Sequence, residues 1–137
     1  MTSGTSVPLR GQTAPIALAP AHPTPPDASP AGWIPEIVAR IVRDFRPLRV
    51  ILFGSHARGD AHAESDIDLL VVMPDRFTGV RQRHTAVAML DALRDLPVFK
   101  DVVVTTPDEI AHRGDLPGTV LRFALDEGKT LYERSPA

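Results

Sequence analysis

The chain has 137 residues, 43% of them apolar and 23% charged, the usage of one ordinary globular domain and not of a coiled coil or a wholly disordered chain. Its 15 basic and 17 acidic residues nearly cancel, leaving a formal charge of -2, so bulk charge makes no case for nucleic acid or an anionic membrane. Cysteine is absent, which excludes a disulfide framework, a thiolate zinc site and a cysteine nucleophile. No apolar run approaches the roughly 20 residues that span a bilayer, and no basic stretch followed by an apolar one opens the chain. The expected location is the cytoplasm.

Eight of the 14 prolines fall within the first 36 residues, and Arg10 and Asp27 are the only charges before Trp33. Such a segment can neither pair its backbone regularly nor bury enough apolar surface to offset the cost of ordering. The expectation is a disordered, partly polyproline-like tail over residues 1–32 and a folded domain over residues 33–134.

Within that domain the apolar period switches repeatedly. Ile34, Ile37, Val38, Ile41, Val42 and Phe45 fall at helical spacing, with Pro35 in the first turn and Pro47 ending the run. Trp33 and Ile34 are expected to pack this helix onto a sheet. Val50 to Phe53 is a short apolar run halted by Gly54-Ser55, and Ile67 to Met73 is a second, halted by Pro74; both read as buried strands. Val80, Val87, Leu90 and Leu93 are expected on one face of a helix from about 79 to 94. The β-branched run Phe99 to Thr105 reads as a third strand. Thr106-Pro107-Asp108-Glu109 resembles a capped helix start, with Pro at the first position and acids in the first turn. Pro117, Val120, Leu121, Ala124 and Leu125 predict a last amphipathic helix closed by Gly128, and Leu131-Tyr132 a short edge strand. The order helix, strand, strand, helix, strand, helix, helix defines an α/β sheet with helices packed against it.

Chemistry concentrates between Ile51 and Val72. There a strand ends in Gly54-Ser55, ten residues intervene, and Asp66-x-Asp68 opens the next strand. Strand alternation puts Asp66 and Asp68 on one face with Cα atoms roughly 6.5 Å apart. Two carboxylates so close do not both stay ionised cheaply unless a cation sits between them. Oxygen ligands suit a hard ion, so Mg²⁺ is the first choice and Mn²⁺ a permissive substitute. At the end of a buried strand, Gly54 lets backbone approach a ligand, Ser55 can cap the following short helix, and backbone N–H groups with the Ser55 hydroxyl can cradle a phosphate. Each half taken singly is ordinary: Gly-Ser is most often a turn, and Asp-x-Asp a solvated strand start. Together, Gly-Ser-x10-Asp-x-Asp arises by chance in about 10⁻³ of chains this long.

At these residues the chain resembles the DNA polymerase β-like nucleotidyltransferases, and within them the minimal nucleotidyltransferase (MNT) family. Gly54-Ser55-His56-Ala57-Arg58-Gly59 and Ser65-Asp66-Ile67-Asp68-Leu69-Leu70 match its signature without a gap, and the similarity runs through Gly128 to Glu133. The resemblance implies an α/β (α+β) fold with a small mixed sheet packed against helices. It implies a third carboxylate on a neighbouring strand, where Asp101 stands; the plainer alternative is a surface acid paired with Lys100. It further implies two-metal transfer of NMP, with AMP from ATP the expected case. Asp66 and Asp68 would hold both ions, Asp101 would complete the second ion's shell and take the hydroxyl's proton, and Gly54 and Ser55 would bind the phosphates. Arg58 would either contact a phosphate or pair with Asp60 or Glu64 to hold the loop.

Larger members carry a substrate-recognition domain after the catalytic one, and this chain is not expected to, since it ends soon after its last helix. Minimal members typically act as antitoxins beside a HEPN-domain toxin, by binding it and by attaching AMP to one of its tyrosines. The resemblance therefore implies a HEPN toxin as partner in a hetero-oligomer. Its rivals are an antitoxin that acts by binding alone and a transferase for a small-molecule or RNA acceptor. His56 and His62 share the loop, but with no Cys and no second His cluster a zinc site is not expected. Thirteen Arg against two Lys are scattered along the chain and form no patch.

Overall fold

The computed structural model describes residues 30–62, 64–114, 116 and 118–135. The expected tail lies outside the described residues, apart from its last three, which belong to a 3-10 turn over Pro30–Trp33. That turn leads into helix α1 (Ile34–Phe45), whose stripe buries Ile37 and Ile41 completely with Trp33 beside them. The helix ends where Arg46 turns left-handed, at φ 54°, and donates its N–H to Val42 O at 3.1 Å, one residue before Pro47.

Strand β1 (Arg49–Phe53) leads through a single-turn helix α2 (Ser55–Arg58) and a loop into β2 (Ile67–Val72). Helix α3 (Val80–Ala92) carries the chain to β3 (Lys100–Thr105), and α4 (Pro107–Arg113), α5 (Val120–Glu127) and β4 (Lys129–Glu133) follow. The sheet order is β3-β2-β1-β4; β1 runs antiparallel to both β2 and β4, and β2 runs parallel to β3. The expected element order is therefore observed, with the edge strand longer than Leu131-Tyr132.

Alternation along the strands divides the core between two faces. Val50, Leu52, Leu69, Val71, Val102 and Val104 pack toward α1 and α3, with Met89, Leu93 and Leu96. Ile51 and Leu70, with half-buried Phe53 and Val103, pack toward Leu121 and Ala124 of α5 and Ile110 of α4. The period of two places Asp68 and Asp101 on this second face, next to Leu70 and Val103.

Several expectations are corrected. On α3, Val80 and Val87 are more than half exposed, and the buried line is Thr85, Met89 and, just past the helix, Leu93. At 100° per residue Val80 lies opposite Met89, and Thr85 is tolerated inside because its hydroxyl donates to Arg81 O at 2.7 Å. Val120 of α5 is also exposed, and Pro117 lies outside the described residues. Strand β3 begins at Lys100 and leaves Phe99 exposed. Gly128 ends α5 in an extended conformation (φ -72°), not a left-handed one. Its glycine serves close packing, since a Cβ there would strike Ile51 Cγ2 and the Ala124 carbonyl. The Thr106 cap is as expected: its hydroxyl accepts the Glu109 N–H at 3.2 Å.

One polar cluster ties the helices together. Arg40 of α1 is buried; its Nη1 and Nη2 reach the two carboxylate oxygens of Asp95 at 2.6 and 3.1 Å, and its Nε reaches Glu36 at 2.8 Å. Nη1 also caps α3 through the Ala92 carbonyl at 3.1 Å. These partners hold the guanidinium pKa above its ordinary value, Asp95 foremost. Asp95 is half exposed, so the pair falls between a buried and a surface ion pair. Arg40→Ala should cost about 1–3 kcal/mol in urea unfolding, with Arg40→Lys recovering little because Lys cannot make the two-pronged contact. An unchanged unfolding midpoint would show that the cluster is ornamental to stability.

Candidate active site

The site forms at the ends of β1, β2 and β3 on the α5 face. Phe53, the last residue of β1, is in register with Asp68, and Asp68 is in register with Asp101 across the parallel β2/β3 pair. Adjacent strands lie about 4.8 Å apart, so two same-face carboxylates in register are neighbours. Asp66 precedes β2 and is exposed like Asp101, while Asp68 is half-buried. Burial, then Asp66, then Asp101 push the Asp68 carboxyl above the usual carboxylate range, and His56 and Arg58 partly offset them. Of the three acids predicted from sequence, Asp66 and Asp101 thus both act on Asp68.

Lys100 does not partner Asp101. Its ammonium donates to the carbonyls of Leu96 and Val98, both at 3.1 Å, and burial lowers its pKa. Asp101 accepts the N–H of Val102 at 3.0 Å.

Gly54 sits directly against Asp68. Its backbone is at φ +78°, and a Cβ there would fall on Asp68 Oδ2. Only glycine meets both conditions. Ser55 is the first residue of α2 and not its cap; the cap position is Gly54, which has no side chain to offer. The N–H groups of Ala57 and Arg58 turn to the Gly54 carbonyl, and those of Gly59 and Asp60 to the Ser55 carbonyl. The N–H groups of Ser55 and His56, at the first turn, are not drawn into these bonds.

Of the loop acids expected to hold Arg58, Asp60 is the one observed, and the second partner is Glu127 of α5. Nε pairs with Asp60 and Nη1 with Glu127, each at 3.2 Å, and these acids raise its pKa, Asp60 most. Glu127 also accepts the Gly54 N–H at 3.1 Å. No spacing in the sequence pointed to Glu127; the adjoining Gly128 was its only flag. His56 Nε2 lies 3.3 Å from the Ser65 carbonyl, while His62 stays within its own turn, contacting Glu64 N at 3.3 Å through Nδ1.

A mixed sheet backed by helices, with acids gathered at the ends of the adjacent strands β2 and β3 beside a Gly-Ser turn, is the polymerase β-like nucleotidyltransferase fold. The chain belongs to the nucleotidyltransferase domain family, whose sequence model matches residues 34–129. No curated protein matches it. Among solved structures it is similar to a protein of Sulfolobus solfataricus described as a nucleotidyltransferase, at 26% identity and a TM-score of 0.50, over 72% of this chain and 76% of that one. It is also similar to a chain of a toxin-antitoxin structure with AMP-PNP, at 25% identity and a TM-score of 0.46, over 72% of this chain and 73% of the other. A third is the toxin-antitoxin MntA-HpeT mutant D39ED41E, at 22% identity and a TM-score of 0.44, over 72% of each.

Nucleotidyltransferases generally use a divalent metal ion and a nucleoside triphosphate. Among the described residues no three Asp, Glu or His side chains are grouped so as to hold an ion by themselves. The donor set nonetheless fits the requirement, because Mg²⁺ is usually held by one or two carboxylates together with substrate phosphates and water. The mutual repulsion at Asp68 is what such an ion would relieve. Among these residues, too, no helix is long and apolar enough to cross a membrane.

Proposed function

We propose that the chain transfers an NMP group, AMP from ATP, to a hydroxyl on a partner HEPN toxin and serves as that toxin's antitoxin. The observation that carries the catalytic part is the in-register pair Asp68 and Asp101, with Asp66 beside them, at the foot of the Gly54-Ser55 turn. The partner rests on the motif from Gly54 to Leu70 and its resemblance to the minimal nucleotidyltransferases.

Asp66, Asp68 and Asp101 would hold Mg²⁺, with Mn²⁺ an acceptable substitute. Metal ions held there would neutralise phosphate charge and lower the pKa of the incoming hydroxyl. The Ser55 hydroxyl and the N–H groups of Ser55 and His56 receive the β- and γ-phosphates, which sets the α-phosphorus in line for attack. Asp101, exposed and without a basic partner among the described residues, accepts the proton of the tyrosine hydroxyl. The hydroxyl oxygen bonds to the α-phosphorus, the bond to the bridging oxygen breaks, and pyrophosphate leaves.

The test uses ATP labelled at the α-phosphate, the full chain and its co-expressed partner. Label should appear on the partner with Mg²⁺ and disappear with excess EDTA. Undiminished labelling in EDTA would remove the metal from the reaction. Label on RNA or a small molecule would replace the acceptor.

A further inference from the structure

We propose that Glu127 is a positioning residue of this site, acting through Gly54 and Arg58 without touching the nucleotide. The inference rests on the reading of the Gly54-Ser55 turn as the phosphate-binding element. One carboxylate oxygen, Oε1, accepts both the Gly54 N–H at 3.1 Å and the Arg58 Nη1–H at 3.2 Å. These donors stand 73 and 69 residues away in sequence, at opposite ends of the turn that carries Ser55 and His56. Charge-assisted bonds of this kind are the strong ones. Glu127 holds them from a partly shielded place, its side chain 21% exposed, whereas Asp60, the other partner of Arg58, is 62% exposed and belongs to the same loop. Asp60 therefore stiffens the loop internally, and Glu127 fixes it to another element.

The anchor is itself rigid. Glu127 ends α5, and Gly128 behind it sits so close to Ile51 of β1 that no side chain fits between them. The brace thus runs from the α5 backbone to the residue that presses on Asp68. The charges that act most strongly on Asp68 are Asp66 and Asp101, opposed by His56 and Arg58, and Glu127 is not among them. Nor does it act as a stand-in for a phosphate, since the Ser55 and His56 N–H groups are not the donors it takes. A displaced Gly54 would carry Ser55 and Asp68 with it, and misplacement by about 1 Å can cost about 10²-fold in rate.

The experiment compares the full chain with Glu127→Ala and Glu127→Gln, since Gln keeps an acceptor for Gly54 and loses the charge facing Arg58. Two readouts are taken: amide hydrogen exchange at Gly54, and the rate of labelled AMP transfer at saturating ATP per folded molecule. Glu127→Ala should quicken Gly54 exchange at least tenfold and lower the saturated rate tenfold to a hundredfold, with Gln restoring most of both. Unchanged Gly54 exchange in the Ala variant overturns the proposal, as does a lower melting temperature with the saturated rate intact. Tighter ATP binding in the Ala variant overturns it too, by showing that the carboxylate competes with phosphate. A wild type that transfers nothing sinks the reading of the site, and Gly54 exchange then still decides the brace.

Discussion

Asp68→Asn should abolish nucleotidyl transfer and, in the same protein, raise the melting temperature of the nucleotide-free form near neutral pH. The loss of transfer should reach at least about 10³-fold, equivalent to about 4 kcal/mol of transition-state stabilisation. The gain in stability follows from charge. Burial, Asp66 and Asp101 hold the Asp68 carboxyl above its unfolded value, so the folded chain binds its proton more readily than the unfolded one. A raised carboxyl contributes stability that is fully present below the unfolded pKa of about 3.9 and is lost as pH rises through the folded value. At neutral pH the wild type therefore carries a repulsion that the amide lacks. Melting temperatures measured across acid to neutral pH should separate as pH rises and converge below about pH 4. A variant less stable than wild type at neutral pH would mean that Asp68 is held by attraction, contrary to the arrangement of the three acids.

Gly54→Ala should damage the site from its backbone. At φ +78° an alanine is strained by about 1–3 kcal/mol, and its Cβ would also displace Asp68 Oδ2. The two effects can be parted with Gly79→Ala, because Gly79 has φ +70° and open space around it. Both variants should melt lower than wild type. Gly54→Ala alone should lose transfer, by about 10²-fold or more, since it moves a group that must be held in place. Equal transfer rates in the two variants would show that the Gly54–Asp68 contact has no functional weight.

How much of this was legible in the sequence depends on the separation of the partners. Val50 to Phe53 and Ile67 to Met73 were readable as strands because each is a short, mostly apolar run bounded by a breaker, and such runs have few alternatives. Asp101 was indicated by the family resemblance, which implies a third carboxylate on a neighbouring strand, and its register with Asp68 needed the parallel pairing of β2 and β3. The buried face of α3 was missed because Thr85 satisfies its hydroxyl against its own helix and so enters the core without an apolar side chain. Gly128 was recognised as a helix end, yet its reason is contact with Ile51, 77 positions away, and not local geometry. Glu127 had no signal of its own beyond the adjoining Gly128. It is an ordinary helical acid until α5 is laid across the end of β1.

The most direct measurement is the rate of labelled AMP transfer from ATP to the co-expressed partner, wild type against Asp101→Asn at saturating nucleotide. If Asp101 receives the proton of the attacking hydroxyl, the variant should bind ATP nearly as well as wild type and transfer at a rate lower by about 10²-fold or more, the mark of an interaction made chiefly in the transition state. Equal rates would remove Asp101 from the site. No transfer by wild type, alongside tight partner binding, would contradict the enzymatic account and leave an antitoxin that works by binding alone.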